Sequence, residues 1–346
     1  WTFTIGLWPA FLLGSLVWGW PPHQSRPRDF VRYLRWVWTE TPPAPGIAPL
    51  SRAWLALSVL GNLGRVPLHG LAWYLDELLF GRVLSAAPVR APVFVLSAAR
   101  SGSTQISHYL EEDPRLAAPI SLQIIAPYLW LWMLVRPTLG RVVPPSVPRS
   151  IFDRMITDEF RQRHEGDPLR TDTFEVLFSL GRLNVLAFLL GPRLLRQEFG
   201  FSRPETGGGP LWEGDFVDFI DRLARKTVRF AGPGPDGSPR RFFIKGHFQR
   251  ADDALAQRYP DAHFVTVVRD PIKRLRSQVN HMHGNGADEA LGAVPWAWLV
   301  ASLVDAEESY CEREQEWYSS AEGPARTVVR FRDYVSDLEG TMQRIY

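Results

Sequence analysis

The sequence predicts an α/β fold in which a parallel sheet is flanked by helices, with an α-helical extension at the N-terminus. Three observations predict it. Short apolar runs recur at 92–97, 241–245, 263–268 and 327–331, with the length and composition of strands buried on both faces. Each run is followed by a helical pattern, and that alternation argues for a parallel sheet with helices on both sides. Arg100, His247 and Arg269 all lie just past the ends of such runs, where sheets of this kind bind their ligands.

The N-terminal elements read in order. Trp1 to Trp20 contains no charged residue, and such a length of helix matches the ~30 Å hydrocarbon core of a bilayer. A transmembrane or membrane-anchor helix is expected over 1–20, with a buried or interfacial helix as the alternative. Gly6, Pro9 and Gly14 weaken a soluble helix but are tolerated in membranes. Arg26, Arg28, Arg32 and Arg35 follow. By the positive-inside tendency they place the C-terminal domain on the cytosolic side, with a Golgi-lumenal placement as the alternative. Seven prolines from Pro21 to Pro49 predict an extended linker over 21–49. A helical preamble is expected over 50–90, its pattern from Ser51 to Phe80 broken near Gly61 and Pro67. The main α/β domain is then expected over 91–346. The chain begins with Trp1 and stops at Tyr346 inside a helix-like pattern from Val335 to Ile345, so it reads as a fragment with a truncated C-terminus.

Composition narrows the function classes. A chain of 346 residues can bury the core of one large α/β domain. With 39 basic against 37 acidic residues, a nucleic-acid partner has no electrostatic support. Cys311 is the single cysteine, which excludes an intrachain disulfide framework and any multi-cysteine metal site.

The segment after the first apolar run carries the chemistry. Phe94, Val95 and Leu96 lead into Ser97-Ala98-Ala99-Arg100-Ser101-Gly102-Ser103-Thr104. Unpaired N–H groups at a helix N-terminus, together with the helix dipole, favour an anion there. Small residues at 97–99 and Gly102 let the backbone approach that anion. Ser101, Ser103 and Thr104 add hydroxyls, and Arg100 adds a permanent charge with a planar fork. The spacing from Ser97 to Gly102 copies the two glycines of a Walker loop, but Ser97 replaces the first Gly and Ser103 the Lys. An ordinary NTPase reading fails at the residue that would reach the terminal phosphates. Small-residue loops of this kind occur in many α/β folds, so the loop alone does not specify a ligand.

The loop resembles the 5′-phosphosulfate loop of sulfotransferases that use 3′-phosphoadenylyl sulfate (PAPS), with Arg100 as the basic residue two before the Gly. The second segment, His263 to Pro271 running on to Ser277, is similar to the family's 3′-phosphate motif, an Arg at a strand end with a Ser eight positions on. Between them Ile244-Lys245-Gly246-His247 resembles the K-x-H element whose His is the catalytic base in many members. The likeness extends more loosely from about Leu50 to the end. It is closest to the branch with a helical preamble, which commonly writes K-S-P-x-H where this chain has Lys245-Gly246-His247. The glycine-rich C-terminal element of cytosolic members is not visible.

The resemblance implies a P-loop-like sulfotransferase fold and a division of roles. Arg100, Ser101, Gly102, Ser103, Thr104 and Gln105 would hold the 5′-phosphosulfate. Arg269 and Ser277 would bind the 3′-phosphate, and His247 would be the base, with Lys245 and Arg100 neutralising developing charge. None of these roles requires a metal. The acceptor is a hydroxyl compound, for which a lipid, sterol, glycolipid or carbohydrate would serve; a membrane association is expected and a nucleic-acid partner is not. Two other readings stay open: a P-loop kinase using ATP and Mg²⁺, and a membrane-attached nucleotide-binding pseudo-enzyme without chemistry.

Each residue also has a plainer reading. Arg269-Asp270-Pro271 suits a helix start, with Asp270 as cap and Pro271 at the first helical position. A His near a strand end, as His247 is, is often structural. His281-Met282-His283 reads as a solvated turn before Gly284-Asn285-Gly286 rather than a metal site. Asp172 and Glu175 sit where relatives carry acidic residues near the acceptor, or else form the first turn of a helix. Leu129 to Val135 would line an apolar acceptor pocket or pack in the core.

Overall fold

The computed structural model describes residues 6–39, 49–142, 144, 146–147, 149–150, 167, 169–171, 209–284, 296–319 and 325–346. Five parallel strands form its sheet in the order β2-β3-β1-β4-β5. They are β1 (Val93–Leu96), β2 (Leu116–Ala117), β3 (Arg241–Gly246), β4 (His263–Val268) and β5 (Arg326–Arg330). The β1 register pairs Leu96 with Gly246 and Val95 with Val265. Ser97, His247 and the residues following β4 therefore emerge together at the carboxyl edge. The neighbours of β1 were added in opposite directions along the sheet, and such switch points open a crevice for ligands.

Alternation along the strands serves both faces. Phe94, Leu96, Phe242, Ile244 and Phe264 point into one core, and Val93, Val95, Phe243, Val265, Val267 and Val329 into the other. The first core is closed by α1 (Trp8–Trp18), α2 (Pro27–Thr39), α3 (Pro49–Ala86), and later helices. The second is closed by α4 (Ser103–Glu111), through Ile106 and Leu110, and by the C-terminal Ile345. Chain order then continues with α5 (Ser121–Ile125), α6 (Leu129–Val142), α7 (Gly209–Ala231), α8 (Asp252–Arg258), α9 (Pro271–Gly284), α10 (Trp296–Ser319), α11 (Phe331–Ser336) and α12 (Leu338–Ile345).

A buried ion pair ties the preamble to the domain. Asp76 of α3 lies 2.9 Å from Lys226 of α7, both fully buried. The Asp76 carboxylate also accepts the N–H groups of Leu129 and Trp130 at 2.7 and 2.8 Å, satisfying the open end of α6. The Lys226 ammonium donates to the Pro127 carbonyl at 2.8 Å and sits 3.5 Å from the centre of the Trp73 ring. Every charge-bearing atom of the pair is thus compensated, which a buried pair requires.

Several expectations need correction. The span expected over 1–20 contains an 11-residue helix, α1, about 16 Å long against the ~30 Å of a bilayer core. Among the described residues no helix is long and apolar enough to cross a membrane. Gly19, at φ 77, ends α1, and Phe11 and Gly14 are committed to packing on Gly70 and Tyr74 of α3. The linker expected to be extended holds α2, because its prolines cluster at the two ends and leave 28–39 free of them. Asp29 accepts the Arg26 N–H at 2.8 Å, closing the turn at the helix start. The preamble does not break at Gly61 or Pro67; α3 runs 38 residues through both. Pro67 removes one N–H from the ladder, yet Val66 and Pro67 are buried and packing holds the helix.

At the other end, the pattern read from Val335 to Ile345 divides between α11 and α12, with Asp337 capping α12 by accepting the Gly340 N–H at 2.8 Å. His281 to His283 lie in the last turn of α9 and not in a solvated turn. Of the Leu129–Val135 run, Leu129 and Trp132 are core while Met133, Leu134 and Val135 are exposed. Asp172 and Glu175 lie outside the described residues.

Candidate active site

The loop after β1 is held by residues of all three central strands. The Ser97 N–H donates to the Gly246 carbonyl at 3.2 Å, and the Ser97 hydroxyl accepts the Val267 N–H at 2.8 Å. Below it, Thr266 donates to the Leu96 carbonyl, and Gln249 donates to the Thr266 hydroxyl at 3.0 Å. A Gly at position 97 would leave the Val267 N–H unpaired in a buried site. That explains the serine where a Walker loop has its first glycine. Sequence reading registered Ser97 as a departure and missed its function.

Two residues then turn the chain sharply. Arg100 has φ 63 and Gly102 has φ 94, both left-handed. A non-glycine residue in that region is strained, and such strain concentrates at functional sites. Arg269 helps hold it by donating from its guanidinium to the Arg100 carbonyl at 3.0 Å. A side chain at Gly102 would lie 2.7 Å from the ring of Phe331. Gly102 begins α4, so the N–H groups of its first turn face the crevice.

Four of the side chains singled out from sequence converge here in pairs. Lys245, buried in β3, donates to the Thr104 hydroxyl at 2.9 Å and so brings an ammonium to the start of α4. The Walker lysine position is Ser103, but a cation reaches the same helix end from a neighbouring strand. The Arg100 Nε donates to the Ser277 hydroxyl of α9 at 3.1 Å. The two segments expected at opposite ends of a nucleotide are thus directly linked. Gln105 is exposed on α4, and Ser103 is buried.

The site has an excess of positive charge. Burial, and then the nearby charge of Arg269, pulls the Arg100 guanidinium below its ordinary value. Among the described residues neither Arg100 nor Arg269 forms an ion pair with a carboxylate. The Arg269 Nε and the Ser101 hydroxyl are buried without a hydrogen-bond partner. Buried donors are normally satisfied, so these unmet donors, beside two arginines and a helix N-terminus, fit a polyanion such as the phosphates of PAPS.

His247 stands on the β3 side of the crevice. Its Nδ1 is 2.6 Å from the Ser97 carbonyl. A carbonyl can only accept, so Nδ1 carries the proton and the neutral ring presents Nε2 as the basic nitrogen. The Tyr310 hydroxyl of α10 donates to the His247 carbonyl at 3.0 Å, fixing the backbone behind it.

Phe331 completes the arrangement. The Arg269 guanidinium lies 4.4 Å from the centre of its ring, within the range of a cation–π contact. Neither Phe331 nor Tyr310 was singled out from the sequence. The signal for Phe331 was faint: an aromatic residue directly past the last strand. Among the described residues no cluster of His, Cys, Asp or Glu is arranged to hold a metal ion.

Comparison with known proteins bears on the fold and on the C-terminal part of the chain. A family model described as "Sulfotransferase family" matches residues 219–346, a stretch that includes Lys245, His247, Arg269 and Ser277. No curated protein matches. Among solved structures, the sulfotransferase STF9 from Mycobacterium avium aligns with a TM-score of 0.59 at 16% identity, over 97% of this chain and 81% of that one. The sulfotransferase STF1 from Mycobacterium tuberculosis H37Rv aligns with a TM-score of 0.53 at 14% identity, over 97% of this chain and 87% of that one. The chain therefore has the sulfotransferase fold, and its C-terminal part matches the sulfotransferase family.

Proposed function

We propose that the protein transfers a sulfuryl group from PAPS to the hydroxyl of an acceptor, with His247 as the base. The observation that supports this reading is a cationic crevice with unmet buried donors, at whose edge the Nδ1 of His247 contacts the Ser97 carbonyl. PAPS supplies an activated sulfuryl group on its 5′-phosphate. Ser101, the N–H groups opening α4, and Arg100 hold that end, and Arg269 with Ser277 holds the 3′-phosphate. His247 Nε2 takes the acceptor's proton while the acceptor oxygen bonds to sulfur and the sulfur–phosphate oxygen bond breaks. Lys245 and Arg100 stabilise the negative charge left on the phosphate. The products are the sulfated acceptor and 3′,5′-bisphosphoadenosine (PAP), and the proton on His247 passes to solvent.

The acceptor class is a lipid, sterol, glycolipid or carbohydrate hydroxyl. Calorimetric titration with PAP, with ATP–Mg²⁺ alongside, tests the donor assignment. Tight PAP binding that Arg269→Ala abolishes is expected. Preference for ATP–Mg²⁺, or PAP binding indifferent to Arg269, would overturn it.

A further inference from the structure

His247 is the first residue past β3, whose last pairing with β1 joins Gly246 to Leu96. Its carbonyl lies beyond the strand ladder and accepts from the Tyr310 hydroxyl at 3.0 Å. The turn that follows, Gln249–Ala251, leads into Asp252 at the start of α8. Asp252 is fully buried, and its carboxylate accepts from the Arg313 guanidinium at 3.1 Å and from the Trp317 indole. Tyr310, Arg313 and Trp317 all belong to α10, and their spacing of three and then four residues puts them on one side of it. Both ends of the segment 247–252 are thus held by a single helix.

That helix is itself fixed against α9. Arg274 of α9 is fully buried; its Nε donates to Glu307 at 2.8 Å and its Nη1 donates to Glu314. Glu307 and Glu314 lie about one turn before and one turn after Tyr310 on α10. A buried guanidinium shared between them resists a slide of α10 along its axis, because a slide would leave charge unpaired in the interior. The position of the Tyr310 hydroxyl behind His247 follows from that register.

We propose that Tyr310 is a positioning residue for His247, holding its main chain where Nδ1 meets the Ser97 carbonyl. The inference rests on the base role given to His247 above. Ser97 acts on the ring and Tyr310 on the backbone that carries the ring, so the direction of Nε2 depends on both. A contact of 2.6 Å tolerates little displacement. When it loosens, the proton of the neutral ring is no longer confined to Nδ1, and Nε2 is no longer reliably the basic nitrogen.

Nitrogen NMR of the protein labelled on histidine tests this, with the His247→Ala spectrum assigning the His247 signals. Above the titration of the ring, the parent should show a protonated Nδ1 and an unprotonated Nε2. Tyr310→Phe keeps the aromatic ring and removes only the hydroxyl, and in it both signals should move toward the average of the two tautomers. Sulfuryl-transfer turnover should fall roughly two- to tenfold, the worth of one hydrogen bond, with PAP affinity unchanged. Arg313→Gln is the control. It loosens the far end of the same segment, so it should lower the melting temperature and leave the tautomer as in the parent. Unmoved signals in Tyr310→Phe, or equal movement in Arg313→Gln, would overturn the proposal. So would a fall in PAP affinity that matches the fall in turnover, by assigning Tyr310 to the nucleotide site. A parent protein without sulfuryl-transfer activity would count against the base role instead, and the nitrogen signals would still decide whether Tyr310 orients the ring.

Discussion

The Nδ1 of His247 lies 2.6 Å from the carbonyl oxygen of Ser97, and this contact selects the tautomer that the proposed base role requires. Ser97 in turn is fixed by β3 through its N–H and by β4 through its hydroxyl. The orientation of the His247 ring thus depends on strand pairing. A neutral imidazole held this way keeps its basic Nε2 on the side away from Ser97.

His247→Ala should therefore keep PAP binding and lose turnover by about 10²–10⁴-fold, the usual contribution of a general base. His247→Asn tests orientation separately. Its amide can still donate to Ser97, so the fold should be unaffected and turnover should fall equally. Calorimetry with PAP and a radiolabelled sulfuryl-transfer assay read the two quantities. Retained turnover in both variants would reject the role.

Gly102 and Phe331 should be coupled. Gly102→Ala places a methyl 2.7 Å from the Phe331 ring at φ +94. The left-handed backbone alone costs an alanine roughly 1–2 kcal/mol, and the clash adds to it. Phe331→Ala removes the clash but also the cation–π partner of Arg269, worth about 0.5–1 kcal/mol or two- to fivefold in PAP affinity. In the double variant the steric part of the stability loss should disappear and the backbone part remain. A thermal-melting cycle over the four proteins measures this, and strict additivity would show that the two positions do not touch.

Ser97→Ala should destabilise the protein by about 1–3 kcal/mol, because the Val267 N–H is left unpaired in a buried site. Ser97→Thr keeps a hydroxyl and should recover part of that loss if its methyl finds room. Urea denaturation of the two variants and the parent decides. Equal stability of the alanine variant would mean that water replaces the hydroxyl.

The preamble should weaken in mild acid. Burial, and then the charge of Arg65, holds the His69 imidazole down at about 4, against 6.5 ordinarily, and its Nδ1 contacts the Tyr128 hydroxyl. The unfolded chain binds a proton between these values and the folded chain does not, so this contribution is complete above about 6.5. It is lost as pH falls toward 4, by an amount on the order of 2–3 kcal/mol. Melting temperature against pH should show this slope, and His69→Gln should flatten it. An unchanged slope would place the proton elsewhere.

Sequence reading worked where chemistry is local. The run from Phe94 to Thr104 encodes strand, turn and helix start within a dozen residues, and the structure places them so. Arg269 and Ser277 sit eight residues apart across a helix start whose cap, Asp270, accepts the Lys273 N–H at 2.9 Å. Hydropathy of the N-terminus misled because a run of uncharged residues does not state its helix length. That length was set by Gly19 and by contacts with Gly70 and Tyr74. Pro67 misled in the opposite direction, since buried packing of α3 outweighed one missing N–H.

The sequence by itself determined the alternation of strands and helices, the parallel sheet, and the cationic loop that opens α4. These follow from apolar periodicity and from residues adjacent in the chain. Only the tertiary structure decided that Ser97 orients His247, that Lys245 reaches Thr104, and that Phe331 serves both Gly102 and Arg269. Each of those contacts joins segments far apart in the chain. They arise from the register of β1 against β3 and β4, and of β4 against β5. Strand register is a property of the packed sheet, and no local pattern of side chains states it.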